Sequence, residues 1–243
     1  MRIKCICCDV FSRLAYKAAA ESPHIVDLEL VPMLAHNEPA QLRADLQQRI
    51  NRCVGVRPYD RIVLGYGLCG NAVSGLNSPL PLVLPRMHDC CAMFAGSREA
   101  FLGVFGNNLS MRWCSCGYYE RSNSLGAMDD GGDYRTSLEY CKLAEEYGED
   151  NAEYVWRTMH PPIETKEAVY IEIDGFEYNG IKDRYAGDIA NAGKEFVLAQ
   201  GDASWFMRLI NGPWDSKEFL EISPGQTVLP VYDLAEVVRA GND

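Results

Sequence analysis

Basic residues and histidine are scarce in this chain of 243 residues. Lysine and arginine together number 23, against 34 aspartate and glutamate residues, which gives a formal net charge of -11, and only 4 histidines are present. Surfaces that bind nucleic acid or anionic membranes are usually basic. We therefore expect no nucleic-acid partner and no membrane partner. A small molecule or another protein is the more suitable ligand.

The chain also lacks long apolar runs, internal repeats and low-complexity segments. No stretch approaches the ~20 apolar residues of a membrane-spanning helix, and the first residues, MRIKCICCDVF, lead into an apparent strand without the apolar core of a signal peptide. We expect a cytoplasmic protein. Because that compartment is reducing, the 10 cysteines do not predict a disulfide framework. They indicate metal or redox chemistry, or plain packing where they lie inside helical patterns.

Apolar segments with strand and helix spacing alternate along the first 90 residues. Strands are predicted at 3–10, 24–31, 59–67 and 80–86, and helices at 11–22 and 40–53. This alternation predicts one α/β domain over residues 1–243, with a parallel or mostly parallel sheet and helices on both faces, as in Rossmann-like folds. A bilobed arrangement, with lobes at 1–110 and 111–243, is the alternative.

The second half of the chain has a less regular pattern. We predict one or two helices over 88–106 and over 134–159, strands at 167–176 and 219–222, and helices at 181–192, 203–211 and 234–240. The segment RWCSC is expected to form a strand followed by a long irregular loop, and long loops are often functional. Its Cys114 and Cys116 are expected to have no special role, with extra ligation or a redox pair as alternatives.

Cysteines follow three of the four early strands at the point where each strand ends. Cys7 and Cys8 end the first strand, Cys69 lies on the glycine-rich turn GYGLCGN after the third, and Cys90 with Cys91 follows the fourth. The carboxyl ends of parallel strands meet at one edge of a sheet, where open α/β sheets bind their ligands. We therefore expect these thiols to lie together.

A cluster of thiols suits a soft metal ion. We predict that Cys8, Cys69 and Cys90 bind zinc, with His88 as a fourth ligand or as the partner of a ligand. An iron–sulfur cluster or a corrinoid is the alternative group. A thiol site without metal and the plain packing of buried cysteines stay open as further interpretations.

Polar and glycine residues around these cysteines are candidates for substrate binding. Arg86 can bind a carboxylate or a phosphate, and Asn71 and His36 lie on loops at the same predicted edge. His36 is a candidate for either a ligand or a substrate contact. Gly67 and Gly70 allow the backbone to approach a ligand closely. The turn resembles a phosphate-binding loop only weakly, because it lacks the lysine and the serine or threonine of a P-loop.

Three separated motifs carry a family resemblance. GYGLCGNAVSGL, LVLPRMHDCCAMFAGS, and GDASWFMRLINGPWD followed by FLEISPGQTV together resemble domain-of-unknown-function family 1638. The resemblance implies a cytoplasmic α/β protein of anaerobic bacteria and archaea, encoded near corrinoid-dependent methyltransferases, with no settled activity. By position, Cys8, Cys69 and Cys90 match recurring cysteines of the family, and His88 matches a frequent histidine.

The resemblance suggests a link to corrinoid or one-carbon methyl-transfer metabolism. The His88 and Cys90 pair with a distant cysteine is similar to the zinc site with which some methyltransferases activate a thiol. Those enzymes are barrels, and this chain lacks the eightfold βα pattern of a barrel. We expect a cytosolic metal-binding protein of this metabolism that acts on a small-molecule substrate or meets a corrinoid protein, and a zinc-dependent methyltransferase is one form it can take. The alternatives are a non-enzymatic metal or corrinoid carrier and a redox thiol protein.

Overall fold

Strands and helices alternate through most of the described chain. The computed structural model describes residues 1–55, 57–106, 111–122, 138–159, 166–231, 233 and 236–242. The described strands are β1 (Arg2–Cys8), β2 (Ile25–Val31), β3 (Arg61–Gly65), β4 (Leu82–Pro85), β5 (Arg112–Ser115), β6 (Glu167–Glu172), β7 (Glu195–Gln200), β8 (Phe219–Ile222), β9 (Thr227–Pro230) and β10 (Val238–Gly241). The described α-helices are α1 (Ser12–Glu21), α2 (Pro39–Arg52), α3 (Cys90–Ala95), α4 (Arg98–Phe105), α5 (Cys116–Ser122), α6 (Leu138–Tyr147), α7 (Glu149–Met159), α8 (Ile181–Asn191) and α9 (Ser204–Asn211).

The central sheet has five strands in the order β2-β1-β3-β4-β8. The first four strands pair in parallel, and β8 runs antiparallel to β4. A second, three-stranded sheet has the order β5-β6-β7 and is parallel throughout, and β9 and β10 form an antiparallel pair. The prediction of an α/β fold with a mostly parallel sheet is therefore confirmed.

Apolar sequence explains why β1 and β3 occupy the middle of the central sheet. Cys5, Ile6 and Cys7 in β1 are fully buried, as are the neighbouring residues of β3, Ile62–Leu64. A strand covered on both faces needs such a continuous apolar run rather than an alternating one. β2 at the sheet edge is only partly buried, and it carries the charged residues Asp27 and Glu29.

Helices cover the sheet through apolar positions spaced by three or four residues. In α2 these positions are Leu42, Leu46 and Ile50, all buried. The connection from β1 to β2 and the connection from β2 to β3 run in opposite directions along the sheet. Because such crossovers are right-handed, α1 and α2 are placed on opposite faces. α9 lies against α1, β3 and β4.

Aromatic rings fill the core next to α1 and α9. The ring of Phe11 lies 4.7 Å from that of Phe94, 5.6 Å from Trp205 and 5.8 Å from Phe206, measured between ring centroids. Trp205 and Phe206 are fully buried, so the apolar face of α9 is part of the core.

The end of the chain departs from the sequence prediction. Residues 238–241 form strand β10, paired with β9, and not the end of a helix over 234–240; residues 234 and 235 lie outside the described residues. The apolar spacing there was misleading, because a short apolar run fits the period of a helix as well as that of a strand. Pairing with β9 makes this segment a strand. β7 and β9 are strands that the pattern did not predict.

The middle of the chain departs from the prediction in a second way. α5 begins directly after β5, where an irregular loop was expected, although residues 123–137 lie outside the described residues. The C-terminal part of the chain contributes to both sheets, because β8 pairs with β4. Among the described residues, no helix combines the length and the apolar character that crossing a bilayer requires.

Candidate functional site

A cavity of about 350 Å³ lies at the carboxyl ends of β1, β3 and β4. The strand order reverses there, because the chain proceeds from β1 to β2 on one side and returns to β3 on the other. In open α/β sheets such a switch point forms the crevice in which ligands bind. Cys8, the last residue of β1, Cys69, beyond β3, and Cys90, the first residue of α3, all line this cavity, which we call the thiol cavity.

Backbone hydrogen bonds fix Cys69 against the segment that leads to Cys90. The amide of Cys69 donates to the carbonyl of His88 at 2.8 Å, and the amide of Leu68 donates to the carbonyl of Met87 at 2.9 Å. Gly67 makes this close approach possible, since a Cβ atom there would lie 2.7 Å from the Met87 carbonyl oxygen. The loops after β3 and β4 are therefore held together as one unit.

The turn that carries Cys69 has an uncommon backbone conformation. Cys69, Gly70 and Asn71 have φ values of 45°, 63° and 70°, the left-handed region that residues other than glycine rarely adopt. Arg43 of α2 donates to the carbonyl of Asn71 at 2.8 Å and so holds the turn. Strain of this kind persists where the surroundings enforce it, and it is concentrated at functional sites.

Asp89 directly precedes α3 as its N-cap residue and also lines the thiol cavity. Its side chain accepts a hydrogen bond from the amide of Ala92 at 3.0 Å, which satisfies a backbone donor at the start of the helix. The carboxylate consequently lies beside Cys90. Among the described residues that line the cavity, Asp89 carries the one formal charge.

The thiols of the cavity hold their protons tightly. Burial raises the pKa of Cys8 to about 12. Burial, and then the neighbouring Asp89 carboxylate, raise the pKa of Cys69 and of Cys90 well above the ordinary thiol value. Cys8 raises the pKa of both further, and Cys69 raises that of Cys90. In this environment the three side chains are neutral thiols at neutral pH.

His36 lies on a short 3₁₀ turn, Met33–Asn37, that follows β2, and its side chain lines the thiol cavity. Burial lowers its pKa, partly opposed by a hydrogen bond between its ring and the backbone of Met33. The imidazole is therefore neutral at pH 7. A hydrogen bond from one ring nitrogen to a backbone carbonyl is the arrangement that orients metal-binding histidines.

Four residues that were expected near the thiols have other surroundings. Gly67 and Asn71 shape the turn and do not line the thiol cavity, and neither does His88, whose Nε2 atom is buried with no hydrogen-bond partner among the described residues. Arg86 lines a different, more polar cavity of about 640 Å³.

Two donor nitrogens of Arg86 bond to the backbone. Its guanidinium donates from Nε to the carbonyl of Ser216 at 2.8 Å and from Nη1 to the carbonyls of Glu236, at 3.1 Å, and of Val238. In this structure Arg86 therefore fastens the C-terminal segment to the end of β4. Its roles in substrate binding, like those of Asn71 and Gly67, stay predictions.

Aromatic residues form a wall of the thiol cavity that the sequence did not indicate. Phe11, Tyr66, Trp113 and Tyr118 line it, and the rings of Trp113 and Tyr118 lie 4.8 Å apart. The hydroxyl of Tyr66 is buried without a hydrogen-bond partner among the described residues. Trp113 and Tyr118 belong to β5 and α5, so no local pattern could place them here. Asp89 did have a signal, an aspartate directly before a helix.

The donor atoms that line the thiol cavity suit a metal ion in kind but not in position. In the described part of the chain, no three His, Cys, Asp or Glu side chains are arranged to hold one ion. Three thiols and one imidazole nevertheless line one cavity, and this is the chemistry that zinc prefers. Rotation about the Cα–Cβ bond between staggered positions moves a sulfur atom by roughly 3 Å. Ligation therefore requires such rotations.

Comparison with known families places the chain. The model of a family described as "Protein of unknown function (DUF1638)" matches residues 30–206, which is more than half of the chain. The chain belongs to this family. The DUF1638 match includes Cys69, Cys90 and His36, whereas Cys8 lies before its first matched residue. Searches of curated proteins and of solved structures found no match.

Proposed function

We propose that this chain binds a thiophilic metal ion, zinc, through Cys8, Cys69 and Cys90 at the carboxyl edge of the central sheet. One observation carries the proposal: thiols from three separate strand ends line the same cavity. Buried cysteines that serve only packing have no reason to gather around an open volume. Thiolates are the ligands that soft cations select over carboxylate and water.

The electrostatics of the cavity support a cation over a reactive thiol. Reactive and redox-active cysteines have a lowered pKa, whereas burial and Asp89 raise the pKa of Cys69 and Cys90. A divalent cation reverses this balance, because it stabilises the thiolates that otherwise repel one another. Binding is then accompanied by the release of thiol protons. A redox function has less support for the same reason.

We assign the fourth donor to His36 rather than to His88. His36 lines the cavity as a neutral imidazole, and its hydrogen bond to the backbone of Met33 fixes the ring. The ring of His88 does not line the cavity, although its backbone carbonyl orients Cys69. His88 thus remains a partner of a ligand in this proposal, and His36 replaces it in the ligand set.

The proposed chemistry follows from the place of the site in the fold. The order β2-β1-β3-β4 supports a Rossmann-like interpretation, in which the switch point holds the ligand. The sheet β5-β6-β7 would be a second lobe that closes the cavity with Trp113 and Tyr118. A bound zinc ion supplies Lewis-acid chemistry, which favours the thiolate form of a substrate thiol. We keep methyl transfer to such a thiol as the proposed reaction, as the family resemblance suggests.

Metal analysis of anaerobically purified protein tests this proposal. We expect close to one zinc per chain and a colourless protein, and zinc should protect Cys8, Cys69 and Cys90 from alkylation. Replacement of Cys69 by Ser should remove the metal, whereas Cys53→Ser, at a buried cysteine outside the cavity, should keep it. Mass spectrometry of the alkylated peptides locates the protected thiols.

Other results would overturn the assignment in different ways. A brown protein with iron and sulfide would replace zinc by an iron–sulfur cluster, and a pink protein would indicate a corrinoid. Metal content below about 0.2 per chain after incubation with zinc would reject metal binding altogether. Equal metal content in Cys69→Ser and the unchanged protein would remove Cys69 from the ligand set.

A further inference from the structure

The thiol cavity is larger than a metal ion needs. Its volume of about 350 Å³ corresponds to roughly ten water molecules at about 30 Å³ each. Three thiols and one imidazole use only part of its wall, because Phe11, Trp113 and Tyr118 form another part. Space bounded by aromatic rings beside a cluster of donors is typical of a site for a small organic molecule.

The charges around the cavity limit what that molecule can be. Asp89 is the one Asp, Glu, Lys or Arg among the described residues that line the cavity. Asp9, directly after Cys8, is a second carboxylate close by, since it raises the pKa of both Cys8 and Tyr66. The charge on the cavity wall is therefore negative.

Groups near the cavity that would attract an anion bond to the chain itself, as Arg43 does to the carbonyl of Asn71. The Asp89 side chain caps the start of α3, where its carboxylate accepts a hydrogen bond from the Ala92 amide. This amide at the positive end of the helix is therefore satisfied by a carboxylate of the chain itself. Arg121 partly offsets Asp9, yet its guanidinium donates to the hydroxyl of Ser12 at 2.7 Å and does not line the cavity. Arg86 lies in the other cavity.

We propose that the thiol cavity binds a small organic molecule that is uncharged or positively charged, and that it excludes carboxylates, sulfonates and phosphates. The aromatic rings take the apolar part of this molecule and favour a cation over an anion. The hydroxyl of Tyr66, which has no hydrogen-bond partner among the described residues, donates a hydrogen bond to the polar group of this molecule. The inference deepens the proposed function, on which it depends for the identity of the site.

Alkylation with reagents of matched size measures this preference without any metal. Iodoacetamide is neutral and iodoacetate is an anion, and both transfer the same kind of group to a thiol. The rate ratio of the two reagents is measured at Cys69 and Cys90, which are partly exposed, and again at the same cysteines in urea-unfolded protein. At low ionic strength we expect the ratio, neutral over anionic, to be about tenfold higher in the folded protein.

A matched pair of variants assigns the effect to Asp89. Asp89→Asn removes the charge and keeps a residue that caps helices equally well, so the rate ratio should fall to within about threefold of the unfolded value. Asp183→Asn removes the same charge from α8, outside the cavity, and should leave the ratio unchanged. The inference would be overturned if the ratio of alkylation rates in folded wild-type protein equalled that of the unfolded chain. It would also be overturned if neither reagent modified Cys69 or Cys90 in the folded protein.

The two proposals fail in different experiments. If the protein does not bind zinc but the alkylation ratio is raised, the metal site is rejected and the preference of the cavity for neutral or cationic ligands stands. Bound zinc with an unchanged ratio would keep the metal site and remove the ligand preference. A third measurement, zinc-loaded protein titrated with cysteamine and with mercaptoacetate, should show tighter binding of the cationic thiol; equal binding would contradict the inference.

Discussion

The mostly parallel central sheet and the parallel three-stranded sheet place cysteines at equivalent positions with opposite results. Cys8, Cys69 and Cys90 at the carboxyl edge of the central sheet line a cavity of about 350 Å³. Cys114 and Cys116, at the carboxyl end of β5 in the three-stranded sheet, are buried among Tyr170, Tyr185 and neighbouring apolar residues. The space beside Cys116 measures about 20 Å³, enough for one water molecule.

The difference shows that a sheet edge becomes a site only where neighbouring elements leave room. All these thiols have a raised pKa because they are buried, to about 12 for Cys8 and for Cys114 and to about 11 for Cys116. The pKa alone therefore does not separate the thiol that lines the cavity, Cys8, from those buried in the smaller sheet, Cys114 and Cys116. The separation comes from what packs on the edge: α5 starts directly at Cys116 and closes the edge of the smaller sheet.

The largest expected effect contrasts one cysteine from each edge. Cys90→Ala should weaken zinc binding at least about 100-fold, because a lost ligand costs more than the tenfold to 100-fold typical of a lost partner of a ligand. Cys114→Ala should leave zinc affinity unchanged and lower only the free energy of unfolding. Competition titration with a zinc indicator measures both. Equal losses in the two variants would erase the distinction between the edges.

Glycines offer a second contrast between the two regions. Gly67→Ala should destabilise the fold by about 2 kcal/mol, because its Cβ would lie 2.7 Å from the Met87 carbonyl oxygen and push the loops of the thiol cavity apart. Gly187→Ala on α8 meets no atom within 4 Å and should stabilise by about 0.5–1 kcal/mol. Urea unfolding at equal m-value is the measurement. A stable Gly67→Ala protein would show that the loop contact is not tight.

Histidines sharpen the definition of the thiol cavity itself. His36→Ala should weaken zinc binding about tenfold, less than the loss of a thiolate, because the three cysteines remain as ligands and water can take the fourth position. His88→Ala should change zinc affinity by less than about twofold, because its ring does not line the cavity. Cobalt substitution provides the readout, as the visible spectrum reports the ligand set. A spectrum altered by His88→Ala alone would restore the original assignment.

The smallest expected effect concerns Glu29 and Glu177, two carboxyl groups whose pKa values are shifted in opposite directions. Although burial raises the pKa of Glu29, ion pairs with Lys4 at 2.6 Å and Arg49 at 2.5 Å lower it overall. A lowered pKa stabilises the fold above the unfolded value, and this contribution is lost as the pH falls through the folded value. Glu29→Gln should therefore cost about 0.5–1 kcal/mol at pH 7, and the cost should shrink as the pH falls toward 3.

Glu177 near the smaller sheet supplies the control of opposite sign. Burial raises its pKa, although the Tyr170 hydroxyl donates to it at 2.6 Å and opposes the shift. A carboxyl with a raised pKa favours the folded state at low pH and loses that contribution as the pH rises. Glu177→Gln should thus be neutral or stabilising at pH 7. Thermal unfolding of both variants across pH 3–7 tests the pair of signs, and parallel curves would contradict it.

The strand ends of the central sheet could be predicted because β1, β3 and β4 are short apolar runs bounded by glycine, proline or charge. Parallel strands end at one edge, so the gathering of Cys8, Cys69 and Cys90 followed from the sequence alone. The rotation of individual side chains did not follow. His36 and His88 lie on loops at the same edge, and only the packing of those loops decides which ring reaches the cavity.

The aromatic wall marks the limit of sequence-based inference in this chain. Trp113 and Tyr118 lie more than 20 positions beyond Cys90, in strand β5 of the smaller sheet and in helix α5. Their pattern is that of an ordinary strand and helix. Contacts between distant segments depend on how two sheets pack, which local periodicity does not encode. The proposed exclusion of anions likewise depends on a tertiary feature, the place of Asp89 on the wall of this cavity.

The sequence by itself determined that this chain forms a mostly parallel α/β sheet and brings its early cysteines to one edge, because hydrophobic period and strand direction are local properties. Only the tertiary structure decided that this edge stays open while the edge at Cys114 and Cys116 closes, that His36 lines the same cavity as the thiols, and that the charge on the cavity wall is negative. Those features arise from packing between elements far apart in the chain, where space and burial are set by the whole core.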